Sequence, residues 1–553
     1  MTNRGIIGVA CNPGEEPWVR EFFELFKTPW EFYREDRTYP VVVSTRADLN
    51  SVDAGLLVRY VPGSGDVTTT PPANTYLCYR DVVFPIYGDV RTFHDVAPGL
   101  VQIQGSAAAV TIEEAHSGSK VLHVGYNIFQ EARFLLSSGQ PACNALMPTL
   151  EIHISMLRDW ILDAGVPLVE IPAAPAGHEF IACLTHDVDF VRIADHKLDH
   201  TMWGFVYRAS IGSFLNLAKQ RISFRSFLKN LKALVSLPAV HLGLCKDFWR
   251  EDFDRFVSLE RDLKATFFFI PFKDRPGKKV PRRHAERRVA AYDVTKETAL
   301  LRDLTDLGNE IGVHGIDAWH DAEKGRAERR RLDVATGKAG PGIRVHWLCF
   351  DADSPRILEK AGFEYDSTFG YNETVGYRGG TAQVFRPDGA ENLLELPLHI
   401  QDTALFYKGY LELTEGGAWK FCETVVKNAE VYGGVITILW HTRSLAPERQ
   451  WGDFYKRLLQ ALRERPVWFA TAGQAVEWFR RRRAVSFRDV EFSGREVRLF
   501  IEREGGLNRS CNTPDLVLRV HKPRPAADAA GRSERSFVDI PWTGEPVINV
   551  SIG

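Results

Sequence analysis

Two carboxylates one residue apart, Asp187 and Asp189, close an apolar run over residues 180–185. Two acids delivered to one place can divide labour. One binds a metal and the other takes a proton from the water activated there, provided their surroundings separate their pKa values. An Asp after an apolar run is also an ordinary turn former or helix cap, so the pair gains weight only from what converges on it. Further along, the run 265–270 ends on Pro271 and 310–313 ends on His314. The run 342–345 carries Arg344 and leads to His346 and Trp347. The run 395–400 contains His399 and precedes Asp402, and 435–439 ends on Trp440 and His441. Strand ends therefore repeatedly meet residues able to bind metal or move protons.

The elements that must position these groups follow from periodicity. From Glu179 to about Arg483 short apolar runs alternate with helical patterns, which predicts parallel βα units. In a parallel barrel all strands point one way, so the residues at their carboxyl ends gather at one mouth. Residues 1–175 mix strand-like runs (39–44, 55–61, 121–124) with helical stretches. The clearest helix covers 148–164, where Leu150, Ile154, Leu157 and Ile161 make an apolar side. A Pro- and Ala-rich connector covers 172–177. From Ser486 only short strands are predicted, at 497–501, 516–520, 536–540 and 547–552, with a small β-sandwich as the expected form.

Composition bounds the function classes. At 553 residues, 44% hydrophobic and 25% charged, the chain is a multi-domain globular protein, and a net charge of −2 gives no global field for nucleic acid. Eight scattered cysteines with no Cys-x-x-Cys pair argue against a zinc–cysteine site and fit a reducing compartment. Residues 6–11 read as a first strand and not as a secretory signal. No run approaches the roughly 18 apolar residues of a spanning helix.

The motifs resemble the polysaccharide deacetylase family, the NodB-homology or carbohydrate esterase 4 group. The matching pieces are Thr185 to Asp189, the strand ATFFFIP from Ala265, EIGVHG from Glu310, Arg344 to Trp347, AGFEYDS from Ala361, Leu439-Trp440-His441 and VWFATAGQAVE from Val467, in the family's order. The resemblance covers about 179–485; the flanking parts resemble the extra domains of a large bacterial subgroup. It implies a distorted (β/α)7 barrel, flanked by an amino-terminal α/β domain (1–175) and a carboxy-terminal all-β domain (486–553). It also implies a divalent metal, usually Zn2+, held by one Asp and two His, which polarises a water and an acetamide carbonyl. By position Asp187 is the general base, Asp189 a metal ligand, Arg344 the group that orients the base and His441 the acid that protonates the departing amine. Trp347, Leu439 and Trp440 are expected to bind substrate, the last two lining the acetyl pocket.

Two departures stand out. The family's second motif places a histidine four residues after His314, where this chain has Ala318. His320, six after it, is favoured as the third ligand because the family uses imidazole there; Asp317, or no third ligand, remains open. The second departure is an insert at about 192–261. Between 201 and 246 it has seven Arg and Lys and not one Asp or Glu. Phe224, Phe227, Leu228, Leu231, Leu234 and Val235 follow helical spacing there. A flap packing that face on the barrel is one reading; docking on an anionic membrane is the other. A second basic stretch runs from Arg275 to Arg288. The expected activity is metal-dependent N-deacetylation of a sugar in a bacterial surface or exported polysaccharide, or its precursor, a lipid-linked glycan included. The expected site of action is cytoplasmic, at the inner face of the membrane, with no nucleic-acid partner. The alternatives are a related amide or ester hydrolase, and a non-catalytic glycan-binding or assembly protein with a degenerate site.

Overall fold

A computed structural model of the chain describes residues 3–49, 52–60, 75–93, 100–103, 108–114, 119–220, 222–277, 289–340, 342–503, 513–523 and 537–551. Most of the second basic stretch, 278–288, lies outside the described residues.

The central sheet is parallel throughout. Its strands run side by side in the order Leu394–Glu395, Tyr365–Asp366, Gly342–Val345, Glu310–Gly315, Ala265–Phe269, Phe180–Val188, Val435–Leu439 and Ile400–Gln401; Val467–Phe469 pairs with the start of Phe180–Val188. The two outermost strands belong to one extended stretch, 394–401. Between them Leu398 N–H donates to the Phe369 carbonyl and His399 N–H to that of Thr437. That stretch therefore bridges the sheet's two sides and makes the seventh stave of a distorted α/β barrel.

Side-chain alternation along these strands explains where the chemistry sits. Phe180 and Leu184 of Phe180–Val188 face the helix-covered outer core, together with Phe267, Phe269, Val313 and Ile438. Ile181 and Cys183 face inward with Phe268, Tyr365, Leu394 and Val435. Residues 185, 187 and 189 continue that inward row by the period of two. The barrel's lower half is thus a packed apolar plug, and its carboxyl end is where polar residues gather.

The flanking parts hold this barrel from two sides. The first 175 residues form a nine-stranded sheet, parallel from Trp30–Phe32 to Lys120–Val124 and antiparallel beyond. It carries helices Glu16–Phe26, Ile128–Ser137 and Thr149–Asp163. Tyr371 Oη donates to the Gln140 carbonyl at 2.7 Å, and Phe369 and Phe385 enter its core, so it packs on the long barrel segment that follows Tyr365–Asp366. The tail differs from a self-contained sandwich. One of its sheets takes Asn3–Arg4 against Val485–Ser493, and the other takes Leu168–Glu170 against Leu516–His521. Their inner faces share one core with the barrel's apolar plug through helix Ala472–Arg483.

The insert is helical: His200–Tyr207, a π-turn at Arg208–Gly212, Ser213–Ala218, Phe224–His241 and Phe248–Leu259. Its apolar stripe faces outward. Phe224, Leu228, Leu231 and Val235 are exposed, while Asn230, Ala233, Leu237 and Val240 turn inward. Asn230 Nδ2 donates to Ser213 Oγ at 2.9 Å, a polar contact that fixes the two helices in this orientation. The helical spacing was legible from sequence; the buried side runs through Ala233, Leu234, Leu237 and Val240, and the exposed large residues of the stripe lie outside it.

Candidate active site

Asp187 and Asp189 lie at the inward-facing end of Phe180–Val188, with Asp187 3% exposed. Arg344, itself fully buried, donates from Nη1 to Asp187 Oδ1 at 3.2 Å and to Thr185 Oγ1 at 2.8 Å. Its remaining donors are spent on Ser367: Nε on the carbonyl at 2.9 Å and Nη2 on Oγ at 2.9 Å. The guanidinium also lies 4.7 Å from the Phe268 ring centroid. A planar cation locked at so many points cannot swing away, so Asp187 is held in one orientation.

Asp189 has a different company. Its Oδ1 is 3.4 Å from His314 Nε2 and 3.4 Å from His346 Nε2, and the three residues offer ligand atoms within 4.8 Å of one another. His314 Nδ1 lies 2.9 Å from the Arg344 carbonyl oxygen, which accepts only from N–H. Nδ1 therefore carries a proton, and Nε2 is the nitrogen turned toward Asp189. Asp189 Oδ1 and His314 Nε2 are both buried and make no hydrogen bond among the described residues. Buried polar atoms are expensive when left in this state, and one carboxylate with two imidazoles is a donor set that zinc accepts. The residues present thus fit a divalent metal. Burial alone would raise the Asp189 carboxyl, but the imidazoles of His346, His314 and His441 overcome it and hold the group below the usual carboxylate range.

The strand register explains why His346 joins. His314 pairs with Arg344 across neighbouring parallel strands, and residue 346 lies two further on, on the same inward side. The backbone then turns through left-handed conformations at Trp347 (φ 66°) and Leu348 (φ 50°), unusual for such large residues and marking the turn at the site's rim. Asn372 Nδ2 secures that turn by donating to the Trp347 carbonyl at 3.0 Å.

His320 is placed elsewhere. Its Nε2 is 3.1 Å from Asp317 Oδ1, and the other oxygen of Asp317 accepts from Lys324 Nζ at 3.0 Å. The expectation of His320 or Asp317 beside His314 is corrected to this extent: the two pair with each other, and Ala318, at the family's histidine position, is buried in the core beside Gly325.

His441 faces the pair from the opposite side. Its Nε2 is 3.9 Å from Asp189 Oδ2, while its Nδ1 is 2.7 Å from Asp402 Oδ1. Asp402, fully buried, also accepts from the His441 backbone N–H at 2.8 Å and from Ser444 Oγ. Burial alone would lower the imidazole; Asp402, then Asp189 and Asp187, raise it to about 9. Sequence reading noted Asp402 but gave it no role. The signal was there: it directly follows Ile400–Gln401, the strand paired with Val435–Leu439.

Two hollows open at this mouth. The smaller, about 80 Å³, is lined by Asp187, Asp189 and His441, and the larger, about 360 Å³, by Asp189, His346 and Trp347. Trp440 lines neither. It is fully buried and stacks on Tyr455 and Phe454, with centroids 4.9 and 5.8 Å away, so the expectation that it binds substrate gives way to a core role. Leu439 is buried against Leu348 and Leu398 beneath the site. His186 is likewise a satisfied core histidine, with Nδ1 2.8 Å from the Trp440 carbonyl oxygen and Nε2 3.0 Å from Glu260 Oε2.

No family model and no curated protein sequence matches the chain. Among solved structures it is similar to Agd3, a carbohydrate deacetylase, at 8% identity and TM-score 0.41 over 100% of this chain and 99% of that one. It is also similar to Puue allantoinase, at 14% identity and TM-score 0.32 over 56% of this chain and 92% of that one. A third is the family 4 carbohydrate esterase from Streptomyces lividans in complex with acetate, at 12% identity and TM-score 0.23 over 40% and 85%.

Proposed function

We propose that this protein hydrolyses the acetamide of an N-acetylated sugar in a polysaccharide or its precursor. The observation that carries the reading is the division of roles at one mouth: a ligand cluster of Asp189, His314 and His346, flanked by the Arg344-held carboxylate of Asp187 and the Asp402-held imidazole of His441. A divalent ion, zinc by the donor set, would polarise the carbonyl and the attacking water when bound. Asp187 takes the proton from the attacking water; Arg344 keeps it aimed. His441, protonated on both nitrogens and steadied at Nδ1 by Asp402, gives its Nε2 proton to the leaving nitrogen. Water and amide are thereby converted to acetate and free amine. Metal content and acetate release from N-acetylated glycan oligomers test this. Bound zinc with acetate release that is lost in D187N and H441A supports the reading; metal-free protein without acetate release refutes it and favours a glycan-binding protein.

The insert supports a setting for this chemistry. Trp203, Tyr207, Ile211 and Phe214 on one helical segment and Phe224, Leu228, Leu231 and Val235 on the next are exposed, Val235 to 73%. Exposed Lys219, Arg225, Lys229 and Lys232 accompany them, with no acidic residue between 201 and 246. An apolar stripe in a purely cationic frame complements an anionic lipid surface, where a lipid-linked glycan would be met. Among the described residues no helix is long and apolar enough to cross a membrane. Sedimentation with phosphatidylglycerol vesicles, weakened in F214S/V235S and in K229Q/K232Q, supports peripheral docking. Dimerisation through this face without vesicle binding refutes it.

A further inference from the structure

Beside the ligand cluster, the larger hollow carries charge that acetamide hydrolysis does not use. Its lining holds three guanidinium groups, Arg208, Arg443 and Arg449, against a single carboxylate, Asp189. They come from two separate parts of the chain: Arg208 from the π-turn of the insert, the others from the loop after Val435–Leu439. Arg443 is 9% exposed; its Nε donates to Glu448 Oε1 at 2.8 Å, and it stacks over Trp249 at 4.1 Å and Phe190 at 4.9 Å. Its Nη2 is buried with no hydrogen-bond partner among the described residues. Arg449 lies over Tyr407 at 5.0 Å and Trp451 at 4.8 Å. The described residues give neither Arg449 nor Arg208 an acidic partner within salt-bridge distance, and Arg208 Nε is buried without a hydrogen bond.

Three guanidinium groups around one buried carboxylate, Glu448, repel one another and are costly to bury. Burial first, then Arg443 and Arg449, pushes the Arg208 guanidinium down to about 10. Such a cluster in a concave, partly water-excluded wall concentrates field toward an anion, and guanidinium forks match phosphate and carboxylate oxygens.

We propose that the substrate carries an oxyanion, a phosphate or a carboxylate, that binds Arg208, Arg443 and Arg449 in the larger hollow while its acetamide lies between Asp189 and His441. The proposal rests on the deacetylase reading for the acetamide and adds the substrate class: an acidic or phosphorylated N-acetyl sugar. The aromatic faces behind Arg443 and Arg449 hold the forks in place, so binding costs little side-chain ordering. Arg208, borne on the insert, couples the insert's position to an occupied hollow.

The test is calorimetric titration of metal-loaded protein with inorganic phosphate and with glucuronate, using glucose as the neutral control. We expect one or both anions to bind, weaken with added NaCl, and bind at least tenfold more weakly in R208Q and in R449Q. Loss of phosphate binding in these variants assigns a phosphorylated substrate, and loss of glucuronate binding an acidic sugar. If both variants retain wild-type affinity for both anions, the anions sit on the metal or nowhere specific, and the proposal is overturned. If R208Q fails to fold, R449Q and the salt series of the wild type decide it. Binding is read without turnover, so its failure leaves the acetate-release result standing, and the reverse.

Discussion

Replacing His346 tests the site at its least expected point. In H346A one of three donor groups lying within 4.8 Å is removed, and what remains is a carboxylate and a single imidazole. Loss of a residue that merely orients a ligand typically costs 10- to 100-fold in metal affinity, so loss of the ligand itself sets the expectation at about 100-fold or more, roughly 2.7 kcal/mol. H320A is the matched control. Its imidazole pairs with Asp317, which Lys324 and the Glu328 carboxylate, accepting from the Asp317 backbone N–H, continue to hold, so deletion costs about 1 kcal/mol of stability and leaves metal affinity within threefold. Both variants would be loaded with zinc, titrated with a competing chelator and analysed for bound metal, with thermal melting to confirm folding. Metal retained in a folded H346A and lost in H320A would refute the assignment and return the third ligand to the loop after His314.

Three further outcomes follow from the geometry. In D402N the His441 imidazole loses its nearest negative partner, so its pKa falls; because the protonated form does the work, the high-pH limb of the pH–rate profile moves down by about a unit or more. R344M leaves Asp187 buried without its cation, lowering kcat by about 100-fold and destabilising the fold by about 3 kcal/mol, read by acetate release and urea melts. At the junction between the amino-terminal sheet and helix Ala472–Arg483, Glu21 receives Arg483 through two bonds of 2.8 Å. Burial would raise the Glu21 carboxyl, yet Arg483 and Arg386 hold it lowered; its stabilising contribution is therefore present above the ordinary carboxylate range and is lost as pH falls through the depressed value. E21A costs about 3 kcal/mol and flattens the acid limb of a stability–pH curve.

What could be read from the chain follows what is local in it. The parallel barrel was legible because short apolar runs, buried on both faces as Phe180–Val188 is, alternate with helical patterns and end on polar residues. Asp187, Asp189, His314, Arg344 and His441 come together at one mouth because the barrel geometry forces strand ends to converge. Trp440 was misjudged because a residue one before a strand-end histidine falls on the opposite face, here against Tyr455. The insert's outward stripe was beyond reach, since helical spacing finds an apolar face but not what covers it. The tail was expected as a small β-sandwich, and no local pattern announces that Asn3–Arg4 and Leu168–Glu170 join its sheets.

The placement of His346, and not His320, beside His314 has a physical logic. A histidine one helical turn after His314 would depend on the loop that follows Gly315 being ordered as a helix, and here that stretch has Ala318 packed inward instead. His346 reaches the same place through sheet register: the His314 to Arg344 pairing fixes where residue 346 emerges, and Arg344, two residues earlier on the same strand, is already locked to Asp187. One short strand, Gly342–Val345, and its turn thus carry both the guanidinium that holds Asp187 and the second imidazole beside Asp189. The two carboxylates are set apart by this arrangement. Asp187 is bound to the guanidinium, Asp189 is left to the imidazoles, and any shift of that strand moves both sides of the chemistry together.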